Sequence, residues 1–347
     1  MNIGYISSDK YAPYLGVSLF SLLDHNRDAD EINVYIFDVS ISDINKKHIE
    51  TIVDKYARSV TFVSKNDEME KIVEEEGLSA FCGTSSTYVK IFPELFFEGV
   101  DRILMIDCDT IINSSLQELY DTDLRDRYVG AVPEITAYYF SSEYKEIIHR
   151  NQFYYNTGVL LWNLKKMRDD NFHQRLIDAF NSFGKPLKLA DQSLLNLTID
   201  DSDVVPLNMK YNFNNNLNFI FKGIRRSVME QYEFRGLGII EANYYKPIKA
   251  KYISIIHFLG SFRPWIKWKN PPLRKYFLKY WKRSPWKNDK FESYLDEMIA
   301  YKLSLDPQAF VGKKFVGRIY AAMIAFMERY MPDTLKSLKQ IKNTRRR

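Results

Sequence analysis

Over the first 135 residues, short apolar runs alternate with amphipathic segments. "NIGYIS" predicts a strand, and Leu15, Leu19, Leu22 and Leu23 then recur on one helical face. "INVYIFDV" predicts a second strand, followed by a helix with Ile44, His48, Ile49, Ile52, Val53 and Tyr56 on one stripe. "SVTFVS" predicts a third strand, "EMEKIVEEE" a short helix and "TYVKIFPELF" another, before the strands "RILMID" and "YVGAVPE". Strands separated by helices imply βαβ units, hence an α/β fold with a mostly parallel central sheet. Beyond residue 154 the alternation loosens. "YYNTGVLLWNL" predicts a strand running into a helix, 170–183 and 190–198 predict helices, and "VVPLNMKYNF" and "YISIIHFLG" predict late strands. The stretch 214–246 between them is irregular and rich in Asn, Tyr and Arg, which suits a lid or an acceptor-binding segment. After Trp265 the chain is helical, basic and aromatic to its end.

One strand breaks its own pattern. Ile103 to Ile106 form the unbroken apolar run of a parallel strand covered on both faces, yet Asp107 and Asp109 follow at once. In an open parallel sheet, ligands bind beyond the carboxyl ends of the strands. Residues two apart on an extended chain project to the same side. Two carboxylates there repel unless something positive lies between them, and hard divalent cations accept such oxygen ligands. Two carboxylates rarely fill such a shell, so substrate phosphate oxygens are expected to share the cation. Two alternatives stand beside this. Asp107 caps a turn and Asp109 is merely exposed, or Asp107 is the nucleophile of a phosphotransferase. The phosphotransferases carry D-x-D-x-T or D-x-D-x-V, whereas this chain has Ile111 at the fifth position.

The pattern around Asp107 is one of five segments, in order over about residues 1–268, that resemble glycosyltransferase family 8. Members of that family are retaining, metal-dependent and use nucleotide-sugar donors, and the likeness is greatest to bacterial lipopolysaccharide galactosyl- and glucosyltransferases. The resemblance implies a Rossmann-like nucleotide-sugar-binding fold of the GT-A type. In "ISSDKYAPYLGVSLFSLL" it implies that Asp9 and Tyr11 line a uracil pocket, with the Tyr11 ring stacked on the base; Ser8 and Lys10 depart from several relatives. Stacking of a base on an aromatic ring contributes ~1–3 kcal/mol, although a Tyr packed on its own helix start is the plainer alternative. In "SSTYVKIF" the family often places an Arg toward the donor sugar and phosphate; here it is Lys90, which keeps the charge and loses the bidentate fork. "YYNTGVLLWNL" resembles the F/Y-N-[AST]-G-V-[LM]-[LM] signature, which implies that Asn156 binds sugar hydroxyls and that Gly158 admits a close backbone approach. "LADQSLLN" places Asp191 and Gln192 where the family works at the sugar's hydroxyls and anomeric face. "IIHFLGSFRPW" follows H-x-x-G-x-x-[KR]-P-W. The resemblance makes His257 the third metal ligand beside Asp107 and Asp109, with Gly260 and Arg263 clasping the diphosphate. A lone His at the end of an apolar strand is otherwise most often a satisfied core residue.

These roles imply Mn²⁺ as the cofactor, with Mg²⁺ the alternative, acting as a Lewis acid on the leaving diphosphate. They imply transfer of glucose or galactose from a UDP-sugar to a cell-surface glycan, lipid-linked or glycoprotein acceptor. Gln192 is expected to support the oxocarbenium-like sugar during same-face attack, and Asp191 is the candidate for a covalent role. The competing functions are the Asp-nucleophile phosphotransferase and a non-catalytic nucleotide-sugar-binding protein.

Charge adds an asymmetry. Residues 1–262 hold 28 basic against 37 acidic residues, a net of −9, and residues 263–347 hold 21 against 7, a net of +14. Two expected units follow: a catalytic domain at 1–268, and a basic, aromatic helical extension at 269–347. Phe315, Val316, Ile319, Tyr320, Met323, Ile324, Met327, Tyr330 and Met331 recur at helical spacing among Lys313, Lys314, Arg318 and Arg329. That stripe is either docked to the core or laid on an anionic membrane surface, and "FRPWIKWKNPPLRKYFLKYWKRSPW" has the Trp, Tyr and cation mix of membrane-surface segments. No nucleic-acid partner is expected. The N-terminus lacks a basic stretch followed by a long apolar core, and "IYAAMIAFM" falls far short of the ~20 residues that span a bilayer. Cys82 and Cys108 support no disulfide framework, as in a reducing compartment. The expected location is cytoplasmic, peripheral on the cytosolic face of a membrane.

Overall fold

The computed structural model describes residues 1–78, 84–135, 147, 153–218, 222–260, 263–266 and 270–291. Among the described residues, ten strands form two sheets. In chain order they are β1 (Asn2–Ser8), β2 (Asn33–Val39), β3 (Ser59–Val63), β4 (Arg102–Ile106), β5 (Thr110–Ile112), β6 (Val129–Pro133), β7 (Tyr155–Asn163), β8 (Val204–Pro206), β9 (Phe213–Asn214) and β10 (Ile255–His257). The large sheet has the order β3-β2-β1-β4-β7-β6-β8. Only β7 runs antiparallel to its neighbours, β4 and β6. The small sheet is β5-β10-β9, with β10 antiparallel to β5 and parallel to β9.

The apolar runs are explained by cover on both faces. Along β4, Leu104 and Ile106 enter one core cluster and Ile103 and Met105 the other. Val159 and Leu161 of β7 divide from Leu160 and Trp162 in the same way. Alternation is absent from such strands because neither face meets water.

The chain winds outward from β1 to β2 and β3, then returns to the other side of β1 at β4. The carboxyl ends of β1 and β4 therefore flank a switch point, where a crevice opens outside the sheet. Asp9 and Tyr11 lie in a 3₁₀ turn after β1, and Asp107 to Asp109 link β4 to β5.

Several predicted elements differ. "TYVKIFPELF" forms two 3₁₀ turns, Ser86–Lys90 and Pro93–Leu95, instead of a helix; Pro93 has no N–H to continue one. Ile44, placed on a buried stripe, is 69% exposed. "VVPLNMKYNF" breaks into β8, a 3₁₀ turn at Met209–Tyr211 and β9. The segment 214–246 contains the helix Lys222–Phe234, which buries Val228, Met229 and Tyr232.

The aromatics that follow Arg263 also differ from expectation. Trp265, Phe277, Tyr280, Trp281 and Trp286 are buried, and all belong to the core cluster that includes the helix Ala12–His25. These rings are core, so the membrane-surface expectation does not apply to them. The stripe from Phe315 to Met331 lies outside the described residues, as does Cys82; Cys108 is free and buried. Among the described residues no helix is long and apolar enough to cross a membrane.

Candidate active site

Asp107, Asp109 and His257 converge at the switch point, each offering a ligand atom within 4.8 Å of the others. Pairing of β10 with β5 sets His257 opposite Thr110, and the Phe258 N–H donates to the Asp109 carbonyl at 2.9 Å. His257 Nε2 thereby stands 3.1 Å from Asp109 Oδ1 and 3.8 Å from Asp107 Oδ2.

The protonation of the His257 ring follows from its neighbours. The backbone N–H of Gly158 donates to Asn156 Oδ1 at 2.8 Å, which identifies that atom as oxygen. Asn212 must therefore turn its NH₂ to Asn156, at 2.7 Å, and its carbonyl to His257. His257 Nδ1–H donates to Asn212 Oδ1 at 2.7 Å, leaving the lone pair on Nε2. A lone pair there, 3.1 Å from a carboxylate oxygen, is repulsive until a proton or a metal cation lies between them. Two carboxylates and one imidazole with a fixed tautomer form a fitting set for a divalent metal that also binds phosphate oxygens.

Beside this cluster, Lys90 Nζ lies 2.9 Å from Asp107 Oδ1 and 3.4 Å from Asp191 Oδ2. Burial disfavours the Lys90 ammonium, but Asp107 and Asp191 outweigh it and raise its pKa. Burial pushes the Asp191 carboxyl up from its ordinary value, against the pull of Lys90 and a hydrogen bond from the Thr157 hydroxyl at 2.8 Å.

Asp191 and Gln192 begin the helix Ala190–Thr198, whose first residue has φ of 41°, in the left-handed region that alanine rarely adopts. Gln192 Oε1 accepts from Asn156 Nδ2 at 3.1 Å and from the Thr157 N–H at 3.4 Å. Asn156 also donates to Glu134 Oε2 at 3.3 Å, so its whole amide is engaged within the protein and directly orients Gln192. Gly158 makes its close approach to His257: a Cβ there would lie 2.1 Å from ring atom Cε1.

Tyr11, which the resemblance sets against the base, meets Arg263. Arg263 donates to the Tyr11 hydroxyl and to the Gly260 carbonyl, its guanidinium 5.4 Å from the Tyr11 ring centre. Asp9 is exposed, and hydrogen bonds from Ser42 and Asn45 hold its carboxyl below its ordinary value. Sequence reasoning missed Asn212, Glu134, Thr157 and Asn45. Thr157 sits inside a recognised signature, whereas Asn212, Glu134 and Asn45 have no local pattern that distinguishes them. Cys108, between the two aspartates, points away and donates to the Ile6 carbonyl at 3.1 Å; burial raises its thiol pKa.

The sheet order, with paired carboxylates and a histidine at its switch point, accords with a glycosyltransferase of the GT-A fold. Residues 2–269 match the family model Glycosyl transferase family 8, and the chain belongs to that family. It is 32% identical over 218 residues to a Haemophilus influenzae protein assigned as a glycosyltransferase, a match spanning 61% of this chain and 63% of that one. It is 23% identical over 336 residues to an Escherichia coli lipopolysaccharide 1,2-glucosyltransferase, spanning 93% and 91% of the two chains. Among solved structures, the galactosyltransferase LgtC in complex with donor and acceptor sugar analogs superposes with a TM-score of 0.69 at 21% identity, over 83% of this chain and 99% of that one.

Proposed function

We propose that the protein transfers glucose or galactose from a UDP-sugar, with retention of configuration, to a cell-surface glycan, lipid-linked or glycoprotein acceptor. The observation that carries this reading is the Asp107–Asp109–His257 cluster set beside Asp191 and Gln192. Similarity to lipopolysaccharide glucosyl- and galactosyltransferases supports the sugar and acceptor class.

A divalent metal held by Asp107, Asp109 and His257, Mn²⁺ or Mg²⁺, would supply Lewis-acid stabilisation of the leaving diphosphate. Arg263 adds fixed positive charge toward the diphosphate, and Gly260 lies beside it. Tyr11 offers its ring to the base, and Asp9 its carboxylate to the base edge. Lys90 pairs with Asp107 and Asp191 together and offsets their negative charge. Asn156 and Thr157 aim Gln192 at the space where the anomeric carbon of the donor sugar would lie. An amide is a poor nucleophile, whereas retaining hydrolases use a carboxylate about 5 Å from a second carboxyl group. Same-face attack is therefore favoured, with the acceptor hydroxyl losing its proton to the departing phosphate. Asp191 is the alternative nucleophile, already held by the Thr157 hydroxyl.

The test is donor turnover. With Mn²⁺ and UDP-glucose or UDP-galactose the protein should release UDP, and chelator should abolish that release. Binding of donor without turnover would reduce the protein to a sugar-nucleotide binder. Phosphate release from a phosphomonoester would make Asp107 a nucleophile. Mass spectrometry of Gln192→Glu after incubation with donor separates the two retaining routes: a glycosylated Asp191 would replace same-face attack by double displacement.

A further inference from the structure

A line of hydrogen bonds joins the proposed base pocket to the C-terminal segment. Asp9 Oδ1 accepts from the Ser42 N–H at 2.8 Å and from Asn45 Nδ2 at 2.7 Å. Asn45 Oδ1 in turn accepts from the indole N–H of Trp286 at 2.8 Å, 241 residues further along the chain. An indole nitrogen can only donate and a carboxylate can only accept. Asn45 is therefore held in one orientation, because a flipped amide would set NH₂ against N–H and oxygen against carboxylate.

The indole is itself fixed. Trp286 is 3% exposed, and a Cβ at Gly16 would come within 2.1 Å of its ring atom Cζ3. The His48 and Trp286 rings meet in a T-shaped arrangement, with centroids 5.2 Å apart at 88°. Ser42 caps the helix Asp43–Asp54, so the Asp9 carboxylate also rests at a helix N-terminus, where negative charge is favoured. What Trp286 holds is the direction in which the exposed Asp9 carboxylate faces.

We infer that Asn45 and Trp286 are positioning residues that set the Asp9 carboxylate to select the donor's base, so that the C-terminal segment takes part in donor specificity. This rests on the proposed nucleotide-sugar site. The chemistry of the selection is simple. Uracil presents an N–H at N3 that a fixed carboxylate accepts, whereas cytosine presents a lone pair there and is repelled. A carboxylate free to turn aside would lose that discrimination while leaving the diphosphate end of the site unchanged.

The experiment uses the full chain with Mn²⁺ and measures affinity for UDP, CDP and inorganic pyrophosphate by calorimetry. Trp286→Phe keeps the packed ring and removes the N–H, and Asn45→Ala removes the link. Each should lower the UDP-to-CDP affinity ratio about tenfold, the scale of a hydrogen bond to a charged group, with pyrophosphate affinity unmoved. For the UDP-sugar, KM should rise more than kcat falls. In an Asp9→Asn background the same substitutions should add nothing, since the group they position is gone. An unchanged ratio in variants that melt like the wild type would overturn the inference. A parallel fall in UDP and pyrophosphate affinity would overturn it too, by showing a general structural effect. Wild-type protein that binds UDP no better than CDP would remove the donor reading itself, a result obtained before any variant is made.

Discussion

Position 158 shows how tightly the proposed metal site is packed. A Cβ there would stand 2.1 Å from His257 Cε1 and 2.7 Å from Nδ1. Gly158→Ala should push the ring off Asp109, abolish most Mn²⁺-dependent UDP release, and cost about 1–3 kcal/mol of stability through overpacking. Urea denaturation and an Mn²⁺ titration check the two parts separately. Asn212→Ala tests the tautomer instead of the space. Without the acceptor at Nδ1 the ring is free to turn, and the Mn²⁺ concentration for half-maximal turnover should rise about 10–100-fold. An Asn212→Ala enzyme with wild-type metal dependence would show that the His257–Asn212 bond has no part in ligation. Both residues matter here through His257, which a single-residue reading of the sequence leaves as an ordinary strand-end histidine.

The helix Arg274–Trp281 packs on the helix Ala12–His25, which follows the turn that carries Tyr11. Tyr14 stacks on Trp265 at 3.8 Å between ring centres, next to Tyr11. The two helices are clamped through Asp24, which accepts from the hydroxyls of Tyr56 at 3.0 Å and Tyr280 at 3.1 Å and pairs with Arg27 at 2.5 Å and Arg283 at 3.5 Å. Burial alone would raise the Asp24 carboxyl, but the hydrogen bonds from Arg27, Tyr56 and Tyr280 and the charge of Arg283 hold it well below the usual range. A depressed carboxylate stabilises the fold above its unfolded value of about 3.9, and that contribution disappears as pH falls through the folded value. Asp24→Asn should thus cost about 1–3 kcal/mol near neutral pH, and part of the wild type's loss of stability in acid should vanish. Urea midpoints at pH 6 and pH 3 give the comparison; equal pH dependence in the two proteins would refute the clamp.

At the scale of the whole molecule, the basic excess lies beyond residue 262, yet the described part of that region to Phe291 is packed on the catalytic core. We propose 1–268 as the catalytic unit and the remainder as an extension, with two truncations to separate its parts. A chain ending near Pro307 keeps Trp286 and the Asp24 clamp, so it should still hydrolyse the donor or transfer from it to a small soluble acceptor. It should bind anionic vesicles less tightly, because each Lys or Arg near such a surface contributes about 1 kcal/mol. A chain ending at residue 268 exposes the apolar faces of Tyr14 and Phe20 and should be insoluble or unstable. Co-sedimentation at low and high salt reads the first effect and thermal melting the second. Vesicle binding that is equal in both proteins, or insensitive to salt, would make the tail a docked element.

The sequence alone determined what depends on neighbours along the chain. The doubly covered strand at Ile103–Ile106, the carboxylates at its end, the alternation of strands and helices, and the ordered family signatures are all local patterns. Periodicity in the chain reports which positions are apolar, and that is enough to establish strand, helix and sheet class. It does not report which surface each element meets, and that is where the expectations failed. The aromatic run after Arg263 reads as a membrane-surface mixture until its rings are seen against Leu15, Phe20 and Tyr14. Ile44 joins a helical stripe by spacing but lies outside the packed face. Only the tertiary structure could put His257 beside Asp109, 148 residues away, and set Lys90 between Asp107 and Asp191. It alone turned Asn212 and Trp286 into orienting groups. Each of these acts through one distance and one hydrogen-bond direction, which the order of strands in the sheet fixes and the spacing of residues in the chain does not.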